Sequence, residues 1–374
     1  MIFFTFVSKN NLMRILFLLL FLQSSIFYAQ EYGRSWSKGK LTWNDFKTKE
    51  NTIKSSELKY VFGYKEQKKK VNDTIIKKLV AYGNIDNLQS WVNKKAKNSQ
   101  LLRYNQLLFD IVEIQRREFQ NKLNNINSIY GIDNILHNQN TLLLDEVERL
   151  NRYSNFGKNL EAIKTWESLI SEKLKQIVVD NSFSKRNFGI GISLGLSANI
   201  LSKNLNTYFK NSLINFNFGL DFAYKKHYLF LNGIMGNTKV SKDLLINSQN
   251  WKTNQNTNFA IIDFSYGYAI LDHSKIKLTP FLGLGITEFS VNKNKELRLV
   301  DYNVLAGINL YYKYKKTLNL ISNSSFISQK EYRESSISTR LFINKAAFGN
   351  SLNGYSVNIS IGINWFVHAL KYNK

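Results

Sequence analysis

The chain has no cysteine and one proline, Pro280, among its 374 residues. Without thiols there is no disulfide framework and no thiolate metal site. Acidic residues are few, 27 against 51 lysines and arginines, which gives a formal net charge of +24 and a pI near 9.8. The excess is spread over both halves and is not a basic tail. A spread basic surface favours anionic partners such as lipid phosphates, and a Lys- and Asn-rich composition is its plainer source. Because the chain reads as exported, nucleic acid is excluded as a partner. Aromatic residues are plentiful at 14%.

Long hydrophobic runs are missing as well. The longest near the start, Ile15 to Leu22, is too short to span a bilayer as a helix, which needs ~20 residues. With Lys9 and Arg14 before it and Ala29 after it, residues 1–30 read as a secretory signal peptide, although Phe27 is large for its position. No cysteine follows, so a lipid-anchored form is not expected.

Residues 31–180 read as an α+β module. Leu58–Lys65 and Thr74–Tyr82 alternate as two strands around a charged turn, Glu66–Asp73. From about Ser99, a candidate N-cap, to Leu123, apolar residues at Leu101, Leu107, Leu108, Ile111, Val112 and Ile114 mark one buried helix face. Two further helices are expected at about Asn140–Asn151 and Leu160–Ile177.

The stretch Tyr104-Asn105-Gln106-Leu107-Leu108-Phe109-Asp110-Ile111 resembles the motif helix of a family of secreted bacterial zinc-dependent proteases, which carries His-Glu-Gln-x-His-Phe-Asp-Ile there. Two histidines at i and i+4 on one helix face can grip a zinc ion, with the glutamate between them as general base. Leu41–Asn51 and Ser90-Trp91-Val92 resemble two further landmarks of that family, and the likeness covers about Leu41–Gln176. Gln106, Phe109, Asp110 and Ile111 are kept. Tyr104 and Leu108 stand at the two histidine positions and Asn105 at the glutamate position. In Tyr153–Gly157, followed by Trp166, Phe156 stands where the resemblance places the third ligand.

The resemblance therefore implies a module with a degenerate site, with no catalytic residue, no metal and no cofactor. The histidine of this unit, His137, falls in an expected loop, Gly131–Asn140. Asp110 and Glu113 lie at i and i+3, and Asp110 is expected to meet Arg103 or Arg116. Leu108 is expected to fill space where a ligand stood, and Tyr104 to fill the vacated pocket. Gln106, Asp110 and Trp166 are the candidate cleft residues.

After a linker at Asn181–Arg186 the apolar period changes to two. Residues 187–370 read as an outer-membrane β-barrel. Eight alternating runs lie at about 187–201, 212–224, 228–240, 257–271, 275–290, 299–314, 317–327 and 353–367. Long alternating segments separated by turns are the mark of a transmembrane β-barrel, one strand face to lipid and one to the lumen. Links after runs two, four and six are short, with Lys315–Lys316 as the third. Links after the others are longer, with Gln329–Leu352 the longest outer loop.

Eight strands leave an interior filled by side chains. Its expected lining includes Asn215, Asn217, Asp221, Asp263, Ser265, Asn309, Asn358, Ser360 and Asn364. No histidine falls near the outer-rim acids Asp243, Glu288 and Asp301, so a barrel hydrolase is not expected.

The reading is an α+β periplasmic module followed by an all-β antiparallel eight-stranded transmembrane barrel. Its expected partners are outer-membrane lipid and a periplasmic protein or peptide, in binding, anchoring or scaffolding. The alternatives are a residual metal-dependent peptidase, a surface adhesin working through the longest loop, and a small pore.

Overall fold

The computed structural model describes residues 33–126, 129–179, 182–202, 204–246, 248–291, 294–321, 330–349 and 352–372. The expected signal peptide lies outside them. In the first part of the chain the strands are β1 (Arg34–Ser35), β2 (Lys47–Lys49), β3 (Ser56–Glu57), β4 (Tyr60–Val71), β5 (Thr74–Ile85) and β6 (Trp91–Asn93). Three helices follow: α1 (Ser99–Asn125), α2 (Ile132–Tyr153) and α3 (Leu160–Gln176). Contacts divide the chain into two units. One holds the described residues of Met1–Gly63, Ala81–Glu118 and His137–Val178. The other holds those of Tyr64–Val80, Phe119–Leu136 and Val179–Lys374.

In the first unit α1 supplies half of the buried core cluster. Leu107, Phe109, Ile111 and Val112 are at most 1% exposed, packed with Ile85, Val92, Leu143, Leu150, Ile163 and Ile170. Each such side chain gains about 1.5–3 kcal/mol from leaving water. The helix starts one residue earlier than Ser99 as cap: the Asn98 side-chain oxygen accepts from the Leu101 amide at 2.8 Å, satisfying one of the orphan donors of the first turn. A small sheet places β6 between β2, parallel, and β3, antiparallel.

Three expectations for this region change. The charged stretch from Glu66 to Val71 belongs to β4, and the turn is only Asn72-Asp73, with Asn72 at φ 52°. Asparagine is one of the few side-chain-bearing residues that enter that region readily. The charges sit on exposed strand positions, and that makes the stretch look like a loop. The second helix begins at Ile132, so His137 lies on α2, exposed, and not in a loop.

The second unit is built on a barrel. Its elements are β7 (Phe183–Leu201), α4 (Asn204–Tyr208), β8 (Ser212–Tyr224), β9 (His227–Lys239), β10 (Leu244–Ile246) and β11 (Gln249–Trp251). They continue with β12 (Asn256–Tyr268), β13 (Leu271–Asp272), β14 (Ile276–Val291), β15 (Asn294–Asn319), β16 (Glu331–Ala347) and β17 (Asn353–Tyr372). Strands β7, β8, β9, β12, β14, β15, β16 and β17 pair antiparallel in that order, and β17 pairs back onto β7, closing a ring of 8 strands. At the closing seam Gly195 faces Gly362, and a Cβ on Gly195 would come within 2.6 Å of the Gly362 Cα. The seam closes this tightly because neither residue carries a side chain.

Strand β7 already begins at Phe183, so the expected linker shrinks from its C-terminal side. The seventh strand is β16, which occupies most of the stretch expected as the longest outer loop. The expected run 317–327 is not a strand of its own. Strand β15 runs on through Lys315 and Lys316 to Asn319, with a register shift between Lys313 and Lys315, and residues 322–327 lie outside the described ones. The lysines read as a turn follow a β-bulge, where an extra residue bends a strand without ending it. The short link expected at Lys315–Lys316 therefore falls inside β15, and β14 and β15, expected to be joined by a longer link, end and begin at Val291 and Asn294.

Strand β15 also reaches past the ring. Lys316–Asn319 pair in parallel with Thr74–Lys77 of β5, and the Leu320 amide donates to the Lys77 carbonyl at 2.8 Å. Nearby, Lys330 Nζ donates to the Asn124 carbonyl, and the Tyr64 and Phe119 rings meet edge to face.

Candidate functional site

Two places in the molecule have the make-up of a site: the surroundings of α1 in the first unit, and the barrel interior and surface.

Helix α1 carries two polar stripes. On the first, Tyr104 is buried, its hydroxyl donating to the Asn151 side-chain oxygen of α2 at 2.5 Å. Burial pushes its pKa up to about 12. The next residue, Asn105, is fully buried. Its amide donates to the Leu101 carbonyl at 2.8 Å and to Ser56 Oγ at 3.0 Å. Leu108 sits in the core. The turn after α2 lies against this stripe. Gln100 Nε2 donates to the Gly157 and Lys158 carbonyls at 2.9 Å each, and a Cβ on Gly157 would stand 2.8 Å from the Tyr104 ring. In that turn Asn155, Phe156 and Gly157 all have positive φ, at 48°, 53° and 85°. Phe156 is 61% exposed, so its ring does not pack into the unit. The structure brings Tyr104 beside the turn that carries Phe156, while Asn105 and Leu108 are fully committed to the interior.

The second stripe, Arg103, Gln106, Asp110 and Arg117, lines a cleft of about 720 Å³. Its other walls are the N-terminal segment, with Trp36 and Lys40, and α3, with Glu167, Leu174 and Lys175. Gln106 ties two walls together: its side-chain oxygen accepts from the Leu41 amide at 2.7 Å while its amide donates to Asp110 at 2.7 Å. Trp36 Nε1 also donates to Asp110, at 2.7 Å. Burial raises the Asp110 pKa against the opposing pull of those two donors. Asp110 thus meets Trp36 and Gln106, not the arginines expected for it. Arg103 pairs with Glu167 at 2.5 Å, and its hydrogen bonds hold the Glu167 carboxyl below the usual range. Arg116 and Arg117 both pair with Glu113 at 2.7 Å.

Of the expected cleft residues, Gln106 and Asp110 line this space. Trp166 does not; it packs half-buried against the core, with the Arg149 guanidinium 5.9 Å from its ring centre. Trp36, Lys40 and Lys175 were not picked out from the sequence. A polar stripe on an otherwise apolar helix was the one signal pointing toward them. Among the described residues no group of three His, Asp or Glu side chains is placed to hold a metal ion.

In the barrel, every residue expected to line the lumen is buried: Asn215, Asn217, Asp221, Asp263, Ser265, Asn309, Asn358, Ser360 and Asn364 are all below 8% exposure. Arg340 Nη2 donates to Asp263 at 2.7 Å and to Ser265 Oγ at 3.1 Å. Asp221 accepts from Asn364 at 2.8 Å and Tyr311 at 3.2 Å. Lys277 Nζ lies 4.1 Å from the Tyr311 ring centre and 4.5 Å from that of Tyr228. The space left among Ser193, Asn217, Asp221, Asn232 and Arg340 is about 20 Å³, room for about one water.

At the end far from the barrel termini, the links fold inward. Phe209, Trp251, Phe259 and Phe289 are buried there, with Phe209 stacked on Phe289 at 4.3 Å. The histidines lie at the opposite end. His227 Nδ1 is 2.7 Å from the Tyr266 hydroxyl and His368 Nδ1 is 3.2 Å from the Phe188 carbonyl. At the far end Asp243 holds Thr253 and Lys252, Glu288 holds Arg298, and Asp301 accepts from the Ala347 amide. No histidine joins them among the described residues.

The outward face of the barrel is apolar on every strand. Leu196, Phe216, Met235, Phe264, Leu284, Val304, Ile343 and Ile361 are among the side chains 48–68% exposed.

No family model matches the sequence. No curated protein sequence matches it either. Solved outer-membrane barrels are among its structural neighbours. Ail, the attachment invasion locus protein of Yersinia pestis, is 13% identical over 48% of this chain and 99% of its own, with a TM-score of 0.26. Neisserial surface protein A is 13% identical over 49% and 98%, at 0.26. The outer-membrane protease OmpT of Escherichia coli is 8% identical over 50% and 98%, at 0.23. At these scores the likeness carries nothing about activity.

Proposed function

We propose that this chain is a non-catalytic outer-membrane β-barrel protein with a periplasmic pseudo-protease module, acting in binding, anchoring or scaffolding. The observation that carries the membrane part is the apolar belt. A closed ring of strands whose exposed face is lined by Leu, Ile, Val and Phe, over a polar and charged interior, is inside out relative to a soluble barrel. An apolar surface of that extent needs lipid to cover it.

Support for the pseudo-protease part comes from α1. A catalytic zinc site needs three protein ligands turned toward the metal. Here Tyr104 is tied to Asn151, Leu108 lies in the core and Asn105 is hydrogen-bonded inside the unit. What remains open is the neighbouring cleft of Trp36, Lys40, Gln106 and Asp110, large enough for a few residues of extended peptide. Exposed Lys40 and Lys175 at its edge favour a carboxylate-bearing segment of a periplasmic partner.

A pore reading is disfavoured by the filled lumen and the aromatic cluster at the far end. An adhesin reading loses its main support, because the stretch from Glu331 to Ala347 is a strand. The deciding measurement is the zinc content of the purified full chain after mild dialysis. The expected result is well below one zinc per chain. A value near one, with chelator-sensitive peptidase activity, would replace this reading with a metalloprotease.

A further inference from the structure

One rim of the barrel combines exposed cations with a row of exposed aromatic rings. At the end where the barrel begins and finishes, Arg186, Lys225, Lys226, Lys275, Lys315 and Lys371 are exposed. They belong to β7, the β8–β9 turn, the link before β14, the β15 bulge and the end of β17, so they are distributed around the circumference. Among the described residues none of the six has a carboxylate within ion-pair distance. The acids at that end serve others: Asp272 and Glu334 take Lys313, at 2.5 Å and 3.3 Å, and Glu331 takes Arg333. At the far end Lys252 and Arg298 are paired with Asp243 and Glu288, while Lys210, Lys239, Lys242 and Lys345 are exposed with no ion pair among the described residues, so it is the neighbouring aromatic row that sets the near rim apart.

Next to this basic ring, on the belt side, runs a row of exposed aromatic rings. Strand register aligns Phe188, Tyr224, His227 and Tyr268 across four neighbouring strands, all facing outward. Tyr312 and Tyr314 continue it near Lys315. The order along the barrel axis is therefore aliphatic belt, aromatic row, unpaired cations. It matches the order of acyl chain, interface and phosphate in one leaflet of a bilayer. Lysine and arginine stems lie along apolar surface and lift the charge to the headgroup plane.

We propose that this rim selects anionic phospholipid headgroups in the leaflet that surrounds it. The occupant is a lipid and not a free phosphate ion. The cations are spread over β7, the β8–β9 turn, the link before β14, β15 and β17, so one small anion could not touch all of them. A layer of lipids whose chains cover the belt meets all of them at once. The proposal rests on the membrane reading of the barrel and adds the lipid class and the side.

The test uses the full chain refolded into phosphatidylcholine vesicles containing spin-labelled phosphatidylglycerol or spin-labelled phosphatidylcholine. The motionally restricted part of the spectrum gives the relative association of each lipid with the barrel. Wild type should prefer phosphatidylglycerol by about threefold to fivefold, the scale set by a few cations near a charged surface, and molar salt should reduce that preference. The variant K225Q/K226Q/K275Q/K315Q should fall toward equal association, and K239Q/K345Q, at the other end, should keep the wild-type ratio. Equal association in the folded wild-type barrel would overturn the proposal, as would full selectivity in the quadruple variant. Should that variant fail to fold, the salt dependence of the wild-type ratio decides alone. If neither lipid shows a restricted component, the chain is not in the bilayer, and the membrane reading fails together with this one.

Discussion

Arg340 of β16 spans the barrel interior to bind Asp263 of β12, a strand three places away around the ring, and holds its guanidinium carbon over the Phe281 ring, 3.9 Å from the ring centre. Both side chains are below 8% exposure. Breaking a buried pair leaves one charge without compensation, at a cost of about 3–5 kcal/mol, while replacing both partners by apolar groups is far milder. Arg340→Met should therefore lower the barrel's urea midpoint strongly in detergent. The double variant R340M/D263L should recover most of the loss. Additive damage in the double variant would mean the pair does not act as a unit.

The cleft predicts a pH effect. Burial raises the Asp110 pKa in the folded chain, so the folded state holds this proton to higher pH than the unfolded state does. Stability from this group is then complete below the unfolded pKa and is lost as pH rises through the folded one. Asp110→Asn should show little difference from wild type at low pH and gain on it as pH rises toward neutrality. Thermal melts of the full chain followed by helix circular dichroism would show this, since the long helices lie outside the barrel. A gain that shrinks with rising pH would contradict it.

The turn Asn155-Phe156-Gly157 offers a test of opposite signs at adjacent positions. Phe156 holds a left-handed backbone at φ 53° with its ring exposed, which costs a bulky residue about 1–2 kcal/mol. Phe156→Asn should raise the melting temperature, by about 0.5–1 kcal/mol of stability. Gly157→Ala meets both a positive φ and the Tyr104 ring, and should cost about 1–3 kcal/mol. Tyr104→Phe, which removes the hydrogen bond to Asn151, should cost about 1 kcal/mol. Equal effects at positions 156 and 157 would refute the backbone argument.

The absence of native cysteine makes β16 easy to check. Spin labels at I337C, L341C and I343C should be accessible to oxygen and shielded from aqueous relaxants in vesicles. A label at N344C should be shielded from both. A common aqueous signal at all four would restore this stretch to the loop.

The barrel was legible where lumen and lipid faces differ in polarity, as along Asn215 to Phe222. That contrast repeats every second residue and also picked out the lumen asparagines. Strand β16 was illegible because its inward face carries Glu334, Ser336 and Arg340, and the outward apolar residues start only at Ile337. Lys315–Lys316 were read as a turn for a similar reason, since lysines beside a bulge look like a polar turn. Helix α1 was plain from its apolar stripe. Its cleft was not, because Trp36 and Glu167 are brought to Asp110 and Arg103 by tertiary packing that no local pattern encodes.

The parallel pairing of Lys316–Asn319 with Thr74–Lys77 has a consequence for how the chain matures. It joins a segment made early in synthesis to one made late, and contacts so distant in sequence form slowly because closing a long loop costs entropy. The β5 edge at Thr74–Lys77 is thus left without its partner until β15 has found its place in the ring. A variant stalled before ring closure would carry an open strand edge, the feature that invites wrong pairing with other chains.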